Sequence, residues 1–172
     1  MNTSTSLSVN LGCGNQKLNG FKGVDKYPCE AVDILADITC TLPFEDDTVD
    51  EIYMDNVIEH INDIPSLLSE ITRVCKKGAE ITIITPHFAC IDSWRDPTHV
   101  HHLSYFSMNH FDKESVKHYM GEGLTVVKRK LTFGGLMGNI GRILFLLNPW
   151  HYEKYWCFIF RPGTLTFVLK KN

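Results

Sequence analysis

The strongest constraint on this chain is Leu11-Gly12-Cys13-Gly14, a glycine turn that closes a short apolar run and is followed ten residues later by Val24-Asp25. Glycine has no Cβ, so backbone N–H groups at Gly12 and Gly14 can approach a ligand closely. A carboxylate at the end of the next strand, Asp25, can accept hydrogen bonds from two ribose hydroxyls, as happens where open α/β sheets hold adenosine-bearing cofactors. A glycine turn with only a structural role reads the same over these four residues. The rest of the chain has to decide between the two.

With 172 residues the chain is long enough for one domain with a real core and too short for two comfortable ones. An apolar content of 44% with 22% charged residues is that of an ordinary globular protein. The net charge of -3 argues against a broad electrostatic footprint, so no nucleic-acid partner is expected. Lys76-Lys77, Lys128-Arg129-Lys130 and Lys170-Lys171 fall near element ends or on an edge strand and read as solvated faces. The segment Met1 to Ser8 has neither a basic start nor an apolar core, so no signal peptide is evident. Cys13, Cys29, Cys40, Cys75, Cys90 and Cys157 form no Cys-x-x-Cys pair, which fits reduced thiols and a cytoplasmic setting. The longest apolar stretch, Ile143 to Leu147, is far short of the roughly 20 residues that span a bilayer. No transmembrane segment is expected, and interfacial contact is the most the sequence allows.

Taken in order, Leu7 to Leu11 reads as a buried strand and Phe21 to Asp25 as a second. The stretch between them is near the lower limit of about 10–12 residues for a parallel crossover, so a loop rather than a full helix is predicted there. Val32 to Ile38 reads as a third strand, Val49 to Met54 as a fourth, and Val57 to His60 as a short helix. Ile64, Leu67, Leu68, Ile71 and Val74 recur at three- and four-residue steps, predicting a helix over Pro65 to Lys77 that Gly78 stops. Ala79 to Thr85 is a β-branched fifth strand, Phe111 to Met120 a helix, Leu124 to Leu131 a sixth strand and Thr164 to Leu169 the last.

Strands interleaved with loops or helices and closed by a strand pair give an α/β sheet that is antiparallel only at its end. The matching stretches are Val9-Asn10-Leu11-Gly12-Cys13-Gly14, Gly23-Val24-Asp25, Ala36-Asp37-Ile38, Leu42-Pro43-Phe44-Glu45-Asp46, Asp50-Glu51-Ile52-Tyr53, Val57-Ile58-Glu59-His60 and Glu70-Ile71-Thr72-Arg73-Val74-Cys75-Lys76-Lys77-Gly78. In these the sequence resembles the class I S-adenosylmethionine-dependent methyltransferases, especially the small bacterial, type 11-like members that begin with Leu-Gly-Cys-Gly. The resemblance implies a Rossmann-like fold with a seven-stranded, mostly parallel sheet and an antiparallel last strand, and S-adenosyl-L-methionine as cofactor. It implies that the turn Leu11, Gly12, Cys13 and Gly14 approaches the methionine part and that Asp25 binds the ribose. Asp37 and Ile38 would then flank the adenine, and Asn56 would lie near the sulfonium. His60 matches a family histidine and reads as supporting packing. The chain departs from many members in its abbreviated first crossover. A dinucleotide oxidoreductase fits less well, because Gly-x-Gly-x-x-Gly needs glycine at position 17, which is Lys17.

Methyl transfer to oxygen or nitrogen can require a base, and histidine suits that task near neutral pH. His87 follows the fifth strand, and His99, His101 and His102 crowd the segment Phe88 to Ser107. His99 or His102 is the expected general base, oriented by Asp96 or Tyr105; the alternative is that these histidines only pack or hydrogen-bond within the loop. The segment has no helical i, i+4 histidine pair, so no metal is expected. Gly134 to Pro162 is dense in large apolar side chains and reads as a cap over the sheet or at the interface of a homodimer. The other readings are an apolar acceptor pocket, a surface for lipid-linked substrates and a partner-binding patch. The expected acceptor is a hydroxyl or amine of a small molecule, with a sugar or saccharide intermediate first by family analogy. The alternative is a catalytically silent cofactor-binding subunit whose cap engages a protein partner.

Overall fold

A computed structural model of the chain describes residues 6–112 and 123–172. Its seven-stranded sheet has the order β3-β2-β1-β4-β5-β7-β6. The strands are β1 (Ser8–Leu11), β2 (Phe21–Asp25), β3 (Ile34–Leu35), β4 (Val49–Asp55), β5 (Cys75–Pro86), β6 (Leu124–Leu131) and β7 (Thr164–Lys171). The first five run parallel, and β7 is inserted antiparallel to both β5 and β6. This is the predicted sheet.

One face of the sheet carries the core. Val9, Leu11, Val24, Ile52, Met54, Ile81, Ile83, Leu165, Phe167 and Leu169 are all buried, and they cluster with the apolar stripe Ile64, Leu67, Leu68, Ile71 and Val74 of helix α1 (Ile64–Val74). On the other face Ser8, Glu51, Tyr53, Asp55 and Thr82 remain half-exposed. The crossovers from β1 to β2 and from β2 to β3 contain no helix, as the first was expected to. Their shortness leaves that face without the helical cover that parallel sheets normally have.

Two elements, α1 and β3, end well short of the sequence reading. Helix α1 starts within one residue of the predicted Pro65, with the Asp63 carboxylate accepting from Ser66 N at 2.9 Å and Pro65 in the first turn, but it ends at Val74 rather than running on to Lys77. Its last carbonyls are already satisfied: Asp47 N donates to Arg73 O at 3.1 Å and Thr48 N to Val74 O at 2.9 Å. No glycine cap is needed, so Cys75 enters β5 directly, and Gly78, at φ +84°, sits where the β4–β5 register shifts. The third strand shrinks to Ile34–Leu35 because its flanking aspartates are drawn elsewhere. Asp33 accepts from Gly23 N and Lys17 Nζ, and Asp37 folds onto Thr39. The helix expected over Phe111 to Met120 lies, beyond the end of a 3-10 turn at Ser107–Asp112, outside the described residues.

Between β6 and β7 the predicted cap consists of helices α3 (Gly135–Leu147) and α4 (Pro149–Tyr155); the short helix α2 (Asp92–Arg95) lies earlier, in the histidine segment. Tyr152 anchors the cap: it is fully buried, its hydroxyl donates to Phe160 O at 2.6 Å, and its ring meets Phe133 and Phe145 edge-on. No helix among the described residues is long and apolar enough to cross a membrane.

Candidate active site

The turn after β1 is built by two left-handed glycines, Gly12 at φ +68° and Gly14 at φ +49°. Gly12 N and Cys13 N both donate to Val24 O, stitching the turn to β2, while Gly14 N donates to the Asp25 carboxylate at 2.9 Å. The other Asp25 oxygen accepts from Tyr27 N at 3.0 Å. A Cβ on Gly12 would stand 2.6 Å from the Val57 side chain, so the glycine keeps open the gap between the tips of β1 and β4.

That gap opens into a cavity of about 440 Å³ lined by Gly12, Asp25, Lys26, Tyr27, Asp37, Ile38, Thr39, Asn56, Val57, His60, Ile61 and Thr98. The volume lies within the roughly 300–1,000 Å³ usual for small-ligand sites. Five of the eight residues expected at a cofactor, Gly12, Asp25, Asp37, Ile38 and Asn56, stand in its wall. Leu11 and Cys13 instead lie buried behind the turn, and Gly14 is tied to Asp25. Asp37 accepts from the Thr39 hydroxyl at 2.7 Å and from Thr39 N, which holds its carboxyl below the usual range and keeps it ionised. Asn56 occupies the left-handed region at φ +54° at the tip of β4, a conformation asparagine tolerates better than most residues.

The four histidines singled out in the sequence are placed apart. His87 is fully buried; Ala89 N donates to its Nδ1, so its Nε2 carries the proton and donates to Glu153 at 2.8 Å, joining β5 to α4. His101 faces Asn62 O, and His102 stacks on Trp94 at 3.6 Å and contacts Ser93 Oγ. Tyr105, proposed to orient a base, packs instead against Phe145 beneath the Arg129 guanidinium. His99 remains beside the cavity. Its Nδ1 donates to Ser93 O at 2.9 Å, and its Nε2 lies 3.9 Å from Glu59 and 4.0 Å from Asp96. Asp96 itself is held by the Thr98 hydroxyl, which lowers its pKa.

The sequence reading missed Glu59 and assigned His60 only to packing. Glu59 is 1% exposed, takes a hydrogen bond from Thr85 Oγ1 at 3.0 Å on Oε2, and has no partner on Oε1. Burial pushes its pKa up. His60 is in the cavity wall, with its ring 4.6 Å from that of His99 and its Nδ1 at 3.0 Å from the Thr98 hydroxyl. Val100 N and His101 N both donate to Glu59 O, locking the histidine loop onto the 3-10 turn Ile58–His60. One ligand atom from each of Glu59, His60 and His99 lies within 4.8 Å of the others, a set that could hold a metal ion.

Comparison with known proteins agrees with this geometry. The family described as "Methyltransferase domain" matches residues 10–83, the span from β1 into β5 that builds the cavity wall. Over that stretch the chain is similar to the methyltransferase domain family. Solved structures share its fold. An S-adenosylmethionine-dependent methyltransferase from Archaeoglobus fulgidus superposes with a TM-score of 0.62 at 17% identity, over 96% of this chain and 86% of the other. One from Mesorhizobium loti gives 0.60 at 14% identity, over 97% and 91%. A chain of the Haloferax volcanii complex between the Trm112 methyltransferase activator and a methyltransferase gives 0.60 at 17% identity, over 97% and 83%. No curated protein matches the chain in sequence. The matched stretch stops before the histidine segment and the cap.

The glycine gap gives a direct test. Gly12→Ala adds a side chain in a left-handed conformation, which costs about 1–2 kcal/mol, and also strikes Val57. It is expected to lower the urea midpoint. Adding Val57→Ala should recover the steric part and leave the conformational part, so the double variant should fall between Gly12→Ala and Val57→Ala combined additively and the unmodified chain.

Proposed function

We propose that the methyltransferase domain uses S-adenosyl-L-methionine to methylate a hydroxyl or amine of a small molecule, with proton loss from the acceptor assisted by His60 and His99. The observation that carries this reading is the position of the cavity: Gly12, Asp25, Asp37 and Asn56 converge on it from the carboxyl ends of neighbouring strands, where open α/β sheets bind ligands. The residues present fit the cofactor. Asp25 offers remaining carboxylate lone pairs to ribose hydroxyls, Asp37 and Ile38 form the wall for the adenine, and Gly12 leaves room at the strand tip for the methionine end. Bound there, the cofactor supplies a methyl group on a positively charged sulfur, a leaving group that needs no protonation.

The protein's main task is then to hold the acceptor in line, a positioning effect worth up to ~7–11 kcal/mol in favourable cases. Asn56, His60 and Thr98 give that side of the cavity a polar lining, which supports a hydroxyl-rich acceptor such as a sugar or saccharide intermediate. His87, His101 and His102 are engaged elsewhere, which narrows the histidine contribution to His99 and His60. The cysteines are free, with Cys13, Cys75 and Cys157 buried, which supports a cytoplasmic setting.

Calorimetry with S-adenosyl-L-methionine and its demethylated product tests this reading. Both should bind, and Asp25→Ala should weaken them ~10–100-fold, the range for losing hydrogen bonds to a charged group. Once an acceptor is found by screening for release of the demethylated product, His60→Ala and His99→Ala should keep cofactor affinity but lower kcat by about 10²-fold or more. Absence of binding to either ligand would refute the reading.

A further inference from the structure

We propose that Glu59, His60 and His99 together bind one divalent transition-metal ion at the acceptor end of the cavity. Glu59 Oε1 is the reason to look there. A buried carboxylate oxygen without a partner is costly, and His99 Nε2 stands 3.9 Å from it, too far for a hydrogen bond. The His99 tautomer adds to this. Because Nδ1 donates to the Ser93 carbonyl, the neutral ring turns the Nε2 lone pair toward the carboxylates of Glu59 and Asp96. Acceptors face acceptors there, and what the geometry lacks is a positive centre. Metal–nitrogen and metal–oxygen bonds of about 2.0–2.2 Å place two ligands of one ion ~3–4 Å apart, a range that includes the 3.9 Å between Glu59 Oε1 and His99 Nε2.

The surroundings have the form of a metal site's outer shell. A backbone carbonyl orients His99, Thr98 contacts His60 Nδ1, Thr85 holds the other Glu59 oxygen, and the loop amides of Val100 and His101 fix the Glu59 backbone. Two imidazoles with one carboxylate favour zinc, iron(II), cobalt or manganese over magnesium or calcium, which prefer all-oxygen sites. His60 lines the cavity, so open coordination positions face the acceptor. The role of the ion rests on the reading given above. An acceptor hydroxyl bound to it releases its proton to solvent more readily; the oxygen keeps the electron pair, forms the bond to the methyl carbon, and the carbon–sulfur pair leaves with sulfur. His60 and His99 then assist as ligands rather than as bases.

The chain, stripped of metal with a chelator and titrated with cobalt(II), should show ligand-field absorption that saturates at one ion per chain. Glu59→Gln and His99→Ala should each weaken uptake by at least ~10-fold, and His60→Ala, at a half-exposed position that does not endanger folding, should do the same. His151→Ala, on the exposed start of α4, should leave uptake unchanged. Calorimetry with the demethylated cofactor runs alongside on each protein and separates the two claims. Cofactor binding with no more cobalt uptake in the wild type than in Glu59→Gln overturns the metal site alone; absence of cofactor binding refutes the methyl-transfer reading instead.

The cap carries a second inference. In α3, Gly138 and Gly141 face inward: Gly138 packs on Phe133, and a Cβ on Gly141 would stand 2.7 Å from Phe160 O. The opposite stripe, Leu136, Ile140, Ile143 and Leu147, is 81%, 40%, 60% and 77% exposed. The helix thus turns out the face that a globular helix normally buries. Trp150, Tyr155, Phe158 and Ile159 extend the apolar surface. Every exposed charge on the cap is positive, namely Arg142, Lys154 and Arg161, since its one acid, Glu153, is consumed by His87 and Tyr105 N. A two-fold dimer through this face would bring the cations of both copies into one shared interface. We infer that the cap docks on an anionic lipid surface, with the apolar stripe in the acyl boundary, Trp and Tyr rings at headgroup level and the cations on the phosphates. Co-sedimentation with phosphatidylcholine vesicles containing phosphatidylserine should show binding that weakens with added salt and in pure phosphatidylcholine, and that Ile143→Glu with Leu147→Ser abolishes. Failure to pellet with either vesicle overturns the inference, as does a concentration-dependent dimer that those substitutions dissolve.

Discussion

The hydrogen bond from Gly14 N to the Asp25 carboxylate couples the two parts of the chain on which the site depends. Its geometry requires a turn that only glycine enters at little cost, and that turn in turn holds β1 to β2 through Val24 O. Once β1 and β2 are joined in this way, Gly12 faces Val57 across the sheet and the cavity forms between the strand tips. The wall of the cavity is therefore mostly backbone geometry, with Asp25, Asp37 and Asn56 supplying directed polar groups.

The same economy explains why the fold is thin on one side. Crossovers of loop length between β1, β2 and β3 cannot cover the sheet, and half-exposed Glu51, Tyr53 and Asp55 mark the consequence. Gly12, Asp25, Asp37 and Asn56 of the cavity wall come from the first third of the chain, and Glu59 and His60 after β4 meet the loop beyond β5. The cap closes the fold through Tyr152 and Glu153 while leaving its apolar stripe outside.

Much of the cavity edge was legible in the sequence because its signals are local. Glycines at a strand end, an aspartate ending the next strand and a polar residue at the tip of β4 each follow from short-range pattern. The limits of β3 and α1 were not, because they turn on where particular hydrogen bonds go: Asp33 to Gly23, and the Arg73 and Val74 carbonyls to Asp47 and Thr48. The cluster of Glu59, His60 and His99 was legible only as a density of histidines. Glu59 looks like any acid in a short turn, and its burial against Thr85 and His99 depends on residues far along the chain. The cap did hold a readable signal: glycines at 138 and 141 opposite a stripe at 136, 140, 143 and 147 describe a helix that packs by its small face.

Hydrogen–deuterium exchange with and without the demethylated cofactor tests the central claim, that the cofactor sits between the tips of β1, β2 and β4. Slower exchange at the amides of Gly12 to Gly14, Lys26 and Tyr27, Ile38 and Thr39, and Asn56 to Ile61 is the predicted result. Protection confined to the cap, or none in these four stretches, would contradict it.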